Sequence, residues 1–342
     1  MTRARNTADT QTASGGPVPP MVAGKNAIIN GGFDYWQRGT SVFTSGGAYN
    51  ADRWKFYQDG TAVTATITQQ ALAAGAIVGI DSPYCFQWSV TVAGTGATTN
   101  ILYQLVEDVR TLAGQTAVLS FYAKSDATRT AIAPTVNQNF GSGGSGTVGA
   151  TVTAVSGNPT SLTTSWQRFS YTVALASITG KTVGTSSHLE VSIKLPINTT
   201  QVTQVVGAQL ELGSVATPFS RAGGTIQGEL AACQRYYYRL TPGQNETIYG
   251  GAIAQSTTGA TAFINNPVPM RTIATSIDFS TLALLLPAIA FYAASSMTIK
   301  TEGCSTNVTT VQFSASGLTT SRYYFLTNNG TNVGYLGFSA EL

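Results

Sequence analysis

Between Pro83 and Val92 a large apolar side chain falls on every second residue: Tyr84, Phe86, Trp88, Val90 and Val92. A period of two marks one face of an extended strand, and five large side chains on that face make a core wall. The alternation recurs along the chain. Ala51 to Tyr57 places Trp54 and Phe56 together, and Thr61 to Gln70 sets Val63, Ala65 and Ile67 against Thr64, Thr66 and Thr68. Trp166 to Val173 sends Phe169, Tyr171 and Val173 inward and Trp166 and Arg168 outward, while Leu189, Val191, Ile193 and Leu195 form another inward row. With Ile101 to Val106 and Ala117 to Ala123, parted by a turn whose Gly114 suits a positive φ, these segments predict about eight strands, the number of a jelly roll of two packed sheets.

Closure of that unit rests on a long-range pairing. Val202 to Leu212 reads as a strand with Val206, Ala208, Leu210 and Leu212 on one face, and Ile28 to Trp36 is its expected partner, so that first and last strands seal one domain. Two glycine-rich stretches, Ser41 to Gly47 and Asn137 to Gly149, are expected to be loops, the second mobile at a sandwich edge. Met1 to Lys25 has no periodicity that could bury a face and is expected to be an extended arm, either an attachment peptide or a spacer.

Past Gly224, Ile226, Leu230 and Cys233 share a face at helical spacing after a Thr225 cap, which predicts a short helix from Ile226 to about Arg235. Short strands follow at Ile248–Ile253, Ala260–Ile264, Ser296–Thr301, Thr309–Ala315, Tyr323–Leu326 and Gly334–Ala340, with Pro267 and Pro269 marking an edge or a connection. The expected organisation is all-β: an arm (1–25), a jelly-roll β-sandwich (26–222), a helical junction (223–240) and a second, smaller β-sandwich (241–342).

Composition excludes several function classes. Charged residues are only 10% of the 342, and the net charge is +3. The basic residues are scattered singly, without the cluster that tracking a phosphate backbone needs, so nucleic acid is not an expected partner. The apolar run Leu282 to Ala294 is broken by Pro287 and falls short of the roughly 20 residues that span a bilayer, so it is expected to be a core segment. Arg3 and Arg5 precede a polar stretch instead of the apolar core of a signal peptide. Cys85, Cys233 and Cys304 lack metal or redox spacing and read as buried free thiols of a protein folded in a reducing cytoplasm.

Asn30-Gly31-Gly32-Phe33-Asp34, Ala51-Asp52-Arg53-Trp54, Gln115 to Asp126 and Gly207 to Arg221 together resemble the carbohydrate-binding-module-like jelly roll of bacteriophage tail-fibre and other virion appendage proteins. Cys233-Gln234-Arg235-Tyr236-Tyr237-Tyr238 is similar to the junction that follows that module. The resemblance covers roughly residues 26 to 240. It implies a noncatalytic virion component, assembled in the host cytoplasm, self-associating as a homotrimer, bound to other virion proteins and contributing to attachment to a host-surface glycan. A head fibre, capsid decoration or tail-wall protein with a purely structural role is the alternative, and a surface-polysaccharide depolymerase is the second. The resemblance also raises calcium near the first strand, with Asp34 and Asp52 as its ligands, although Gly207-Ala208-Gln209 stands where such modules often carry Asp.

Candidate chemistry in the residues themselves is sparse. The sole histidine, His188, starts a strand in a Ser/Thr-rich setting and reads as structural, so neither a Ser-His-Asp triad nor a His metal site is expected. Glu107-Asp108 is the only adjacent acidic pair, but neighbours in a strand point to opposite faces, and Arg110 is close enough to neutralise one of them. Sugar binding would need exposed aromatic rings, and Trp36, Tyr49, Trp54, Tyr103, Tyr122 and Trp166 are the residues that alternation leaves open between core and platform. Tyr236, Tyr237 and Tyr238 are expected to pack either between subunits or over the interdomain junction.

Overall fold

The computed structural model describes residues 24–40, 47–131, 133–287 and 289–342. The expected arm and the loop at Ser41 to Gly47 therefore lie, apart from Gly24, Lys25 and Gly47, outside the described residues. The chain is nearly all β and forms two compact units: one runs to Trp36 and resumes over Thr40–Glu229, the other comprises Gln37–Gly39 and Leu230–Leu342.

The first unit is a jelly-roll β-sandwich. Its strands are β1 (Trp54–Gln58), β2 (Thr64–Ala71), β3 (Tyr84–Val92), β4 (Asn100–Val106), β5 (Thr116–Ser125), β6 (Arg129–Thr130), β7 (Thr135–Asn139), β8 (Val148–Gly149), β9 (Thr151–Ala154), β10 (Ser161–Leu162), β11 (Gln167–Ala174), β12 (His188–Lys194) and β13 (Gln201–Leu212). A five-stranded sheet has the order β1-β4-β12-β7-β8, a six-stranded sheet the order β2-β3-β13-β5-β11-β9, and β6 pairs with β10. Their inner faces meet in one core, where Trp54 and Phe56 from β1 face Phe86 and Trp88 from β3 and the Phe56 and Trp88 ring centroids stand 5.1 Å apart. The wall on β3 is three residues wide, not five: Phe86, Trp88 and Val90 are buried, while Tyr84 and Val92 occupy the first and last positions of the strand and are exposed.

Ile28 to Trp36 does lie beside β13, yet it is not a strand. Ala27 donates to the Leu210 carbonyl at 2.8 Å and Ala208 to the Gly31 carbonyl at 2.9 Å, and between these bonds the segment turns, with Asn30 and Phe33 at positive φ. A Cβ on Gly31 would lie 2.0 Å from the Ala208 carbonyl oxygen, so only glycine permits this approach. In place of a ladder, side chains hold the segment. Asn26 accepts from Ile28 and Leu210 and donates to Ala208 and Ser220, while Gln104 brackets both backbone groups of Ile29. Phe33 is driven into the core against Trp54 and Phe86, at centroid separations of 5.0 and 5.8 Å.

Asn137 to Gly149 is also more ordered than its glycine content suggests. Asn137 to Asn139 complete β7, and the turn beyond it is bonded to residues 182–185, with Gly184 donating to Phe140 at 2.7 Å. A Cβ on Gly144 would lie 2.1 Å from the Phe140 carbonyl oxygen, so glycine here serves backbone-to-backbone packing.

Helix α1 (Ile226–Gln234) carries the division between the units and is capped as expected, Thr225 Oγ1 accepting from the Gly228 amide at 3.0 Å. The second unit contains β14 (Tyr237–Leu240), β15 (Ile248–Ala254), β16 (Gly259–Asn265), β17 (Ser276–Ser280), β18 (Ala283–Leu286), β19 (Ala290–Ala293), β20 (Ser296–Ile299), β21 (Val308–Ser314), β22 (Tyr323–Thr327) and β23 (Tyr335–Ser339). A three-stranded sheet, β14-β23-β17, and a seven-stranded sheet, β19-β18-β22-β15-β16-β21-β20, enclose a second core containing Tyr238, Phe338, Leu284, Phe313 and Leu326. The run Leu282 to Ala294 is largely the β18–β19 hairpin, and β14 and β17 have no counterpart among the expected strands.

Candidate functional site

Because Trp54 and Phe56 of β1 point into the core, Lys55 and Tyr57 must point outward, and the antiparallel register carries that choice across the sheet. Tyr49 forms a bridge with Lys55, Lys55 pairs with Tyr103 on β4, Tyr103 with Ser192 on β12, and Ser192 with Thr135 on β7. One row of side chains thus crosses the outer face of the five-stranded sheet. The Lys55 ammonium lies 5.1 Å from the Tyr49 ring centroid and 5.6 Å from that of Tyr103, within cation–π range of both.

A second row flanks it. Glu190 on β12 pairs with Asn137 on β7, and its Oε1 accepts from Ser192 Oγ at 3.2 Å and Asn137 Nδ2 at 3.4 Å. Burial, with the charges of Glu190 and Tyr57, holds the Tyr103 phenol above its ordinary value, so its hydroxyl stays a donor at neutral pH. Half-buried aromatic faces, an ammonium, a carboxylate and an amide on one open sheet face can stack a ring and fix hydroxyls around it.

Of the six aromatics left open by the sequence, Tyr49 and Tyr103 are the two brought together here. Trp36 and Trp54 are core residues: both are buried, and their indole nitrogens donate to the carbonyls of Phe33 and Asn30, each at 2.9 Å. Tyr122 and Trp166 belong to the outer face of the other sheet, in a small cluster with Ile77, Ile80 and Phe219, where Lys124 stands 5.1 Å from the Trp166 ring centroid. Lys55, Tyr57, Asn137, Glu190 and Ser192 escaped the sequence reading. Alternation could have marked Lys55 and Tyr57 as outward, but their neighbours depend on register between strands distant in sequence.

The residues do not fit a calcium ion. Both oxygens of Asp34 are held by Arg221, from Nε at 2.8 Å and Nη2 at 3.2 Å, and Asp52 is buried with its carbonyl accepting from Asn30 Nδ2. The guanidinium stands against Asp34 where a cation would have to sit, and no group of three His, Cys, Asp or Glu residues is poised to hold a metal among the described residues. His188 Nδ1 bonds the Ser186 carbonyl at 2.8 Å, and Asp108 pairs with Arg110.

Tyr236, Tyr237 and Tyr238 are buried within the chain and offer no surface to another subunit. Tyr238 stacks obliquely on Phe338, and the Tyr237 hydroxyl donates to Asp278 at 3.0 Å while the Arg38 guanidinium lies 3.6 Å over its ring. Burial, then the Asp278 charge, pushes the Tyr237 phenol up.

No protein-family model and no curated protein matches the sequence. Among solved structures the chain is similar to a CBM4 module at 17% identity and TM-score 0.33, over 54% of this chain and 99% of that one. It is similar to the CBM22-1 xylan-binding domain of Paenibacillus barcinonensis Xyn10C at 15% identity and TM-score 0.32, over 57% and 98%. It also overlaps 22% of the enzymatically active domain of bacteriophage CBA120 tailspike protein 4, at 14% identity, TM-score 0.33 and 55% of this chain.

Proposed function

We propose that this protein is a noncatalytic component of a bacteriophage virion, a tail fibre or similar appendage, whose first unit contributes to attachment to a host-surface glycan. The observation that carries the glycan reading is the cross-strand row Tyr49–Lys55–Tyr103, with Glu190 and Asn137 beside it, on the outer face of the five-stranded sheet. Placement in a virion, contact with other virion proteins and self-association rest on the resemblance of residues 26 to 240 to phage appendage proteins.

A single site of this kind works near the millimolar range, about 4 kcal/mol, so useful adhesion needs several copies acting together. The test is glycan-array binding of the assembled protein, with Tyr103→Ala and Lys55→Ala as variants. The reading expects binding by the parent and a loss of about tenfold or more in each variant, roughly 1.4 kcal/mol per site. Absence of binding to any host glycan, or equal binding by the variants, would overturn it; release of reducing ends from host capsule would make the protein a depolymerase instead.

A further inference from the structure

The outer face of the seven-stranded sheet in the second unit is uncharged from edge to edge and carries an apolar row over five of its strands. None of its seven strands contains Asp, Glu, Lys, Arg or His. Their registers align one row across five of them: Phe291 opposite Leu285, Leu285 opposite Phe325, Phe325 opposite Gly251, and Gly251 opposite Phe263. The alternate residues Tyr292, Leu284, Leu326, Ala252 and Ala262 pack in or against the core, so this row faces out. Phe263 is 56% exposed, Phe325 41% and Phe291 38%, and Tyr323, two residues from Phe325 on the same face, is 75% exposed. An antiparallel sheet with one face on a core ordinarily turns polar residues to water on the other. Here the row over five strands is apolar instead, and the outward polar residues of β20 and β21, Thr298 and Gln312 among them, are uncharged.

The relief of the face is specific. A Cβ at Gly251 would meet nothing within 4 Å, so the glycine floors a slot between Phe325 and Phe263, whose backbones stand two strand spacings, about 10 Å, apart. Ridges and a slot of similar width on one face are complementary to the same face of another copy. The exposed parts of the four aromatic rings, with Leu285 and Ile289 beside them, come to about 500 Å². That matches the apolar share of the roughly 800 Å² that each partner brings to a stable interface. Glu246, which lines a cleft with Leu285 and Phe291, and Arg322, next to Tyr323, supply a charged margin.

We infer that this face is a self-association surface, buried against the same face of another copy of this chain, with Phe263 and Phe325 as its ridges and Gly251 as its slot. A partner without charge is what an uncharged face accepts without stranding a buried charge, and the copy supplies one of matching area and relief. Tyr236–Tyr238, buried in the chain, have no part in it.

The test is sedimentation velocity of the full chain from about 1 to 200 µM, spanning the micromolar affinities usual for interfaces of this size, for the parent, Phe263→Asp and Gly251→Gln. The side chain at Gly251 has room in the isolated chain and closes the slot; the aspartate puts a charge on one of the two ridges beside it. The parent should sediment as a discrete dimer, the closed form of a face paired with itself, and each variant should raise the dissociation constant at least tenfold while circular dichroism and the melting temperature stay those of the parent. Should Phe263→Asp fail to fold, Gly251→Gln decides alone. A parent that stays monomeric, a parent that forms only an unbounded range of aggregates, or a correctly folded Gly251→Gln that keeps the parent's assembly would overturn the inference.

Discussion

Replacing Arg221 with methionine separates two ion pairs that share one guanidinium. Nε and Nη2 grip Asp34 at 2.8 and 3.2 Å, and Nη1 reaches Asp81 at 2.9 Å. The side chain of Asp34 is 2% exposed and that of Asp81 74%. Burial works against the Arg221 charge, but the hydrogen bonds it donates to Asp34 and Asp81 outweigh it and hold the guanidinium above its ordinary value. The exposed arm is worth at most about 1 kcal/mol. Removing the cation strands the Asp34 carboxylate in a dry setting, which costs about 3–5 kcal/mol. Arg221→Met should therefore destabilise the first unit by about 3–5 kcal/mol and Asp81→Ala by about 1 or less. The double variant Arg221→Met/Asp34→Leu should recover most of the loss, because an apolar pair of similar volume replaces buried charges with little net effect. Urea unfolding followed by tryptophan fluorescence reads this unit alone, since Trp36, Trp54, Trp88 and Trp166 all lie in it. At a slope of about 2–3 kcal/mol/M the single variant should shift the midpoint by about 1–2 M. A shift no larger than that of Asp81→Ala, or a double variant as unstable as the single one, would refute the reasoning.

Trp54→Ala is expected to act on the fold and not on a binding face, losing about 3–5 kcal/mol in the same urea assay, whereas Tyr103→Ala should lose about 1 kcal/mol or less. Glu211 lies below its ordinary 4.5 because hydrogen bonds from Thr217, Gln209 and Lys25 overcome its burial; Asp81 lies below 3.8 through Arg221, and Asp126 lies below 3.8 because bonds from Arg129, Val202 and Ser125 overcome its burial. Each contributes stability that is complete above its unfolded value and lost as pH falls through its lower folded value, so fluorescence-monitored stability should decline below about pH 4.5. Glu229, raised by burial, works in the opposite sense and should give a shallow maximum on the acid side of neutrality, which Glu229→Gln should flatten. Burial pushes the Cys85 thiol up to about 12, so iodoacetamide at pH 8 should leave Cys85 and the buried Cys233 unlabelled while the half-buried Cys304 reacts first, as read by mass spectrometry of the native protein.

The pattern of side chains along single strands was legible without coordinates. Alternation identified Phe86, Trp88, Phe169, Tyr171 and the Leu189–Leu195 row as core, and all are buried; it set Trp54 and Phe56 on one face but left Trp54 open between core and platform, and both are buried. The Thr225 cap and the helix after it were equally readable, because both are local. The strand assigned to Ile28–Trp36 was not, since its path depends on Asn26 and Gln104 reaching backbone groups of segments far away in sequence. The glycines of Asn137–Gly149 read as looseness although they permit close packing against residues 182–185. Tyr236–Tyr238 were expected between subunits or over the interdomain junction, because β14 has no alternation to show that β23 and the core behind it would bury them.

The sequence by itself determined the all-β character of this protein and the inward face of its main strands, because each follows from the period and chemistry of neighbouring residues. Only the tertiary structure decided what meets on an outward face. Tyr49, Lys55, Tyr103 and Glu190 come from three strands and a bridge, and Phe263, Gly251 and Phe325 from three others. Register across a sheet is set by the whole packed core and is not encoded in any one strand.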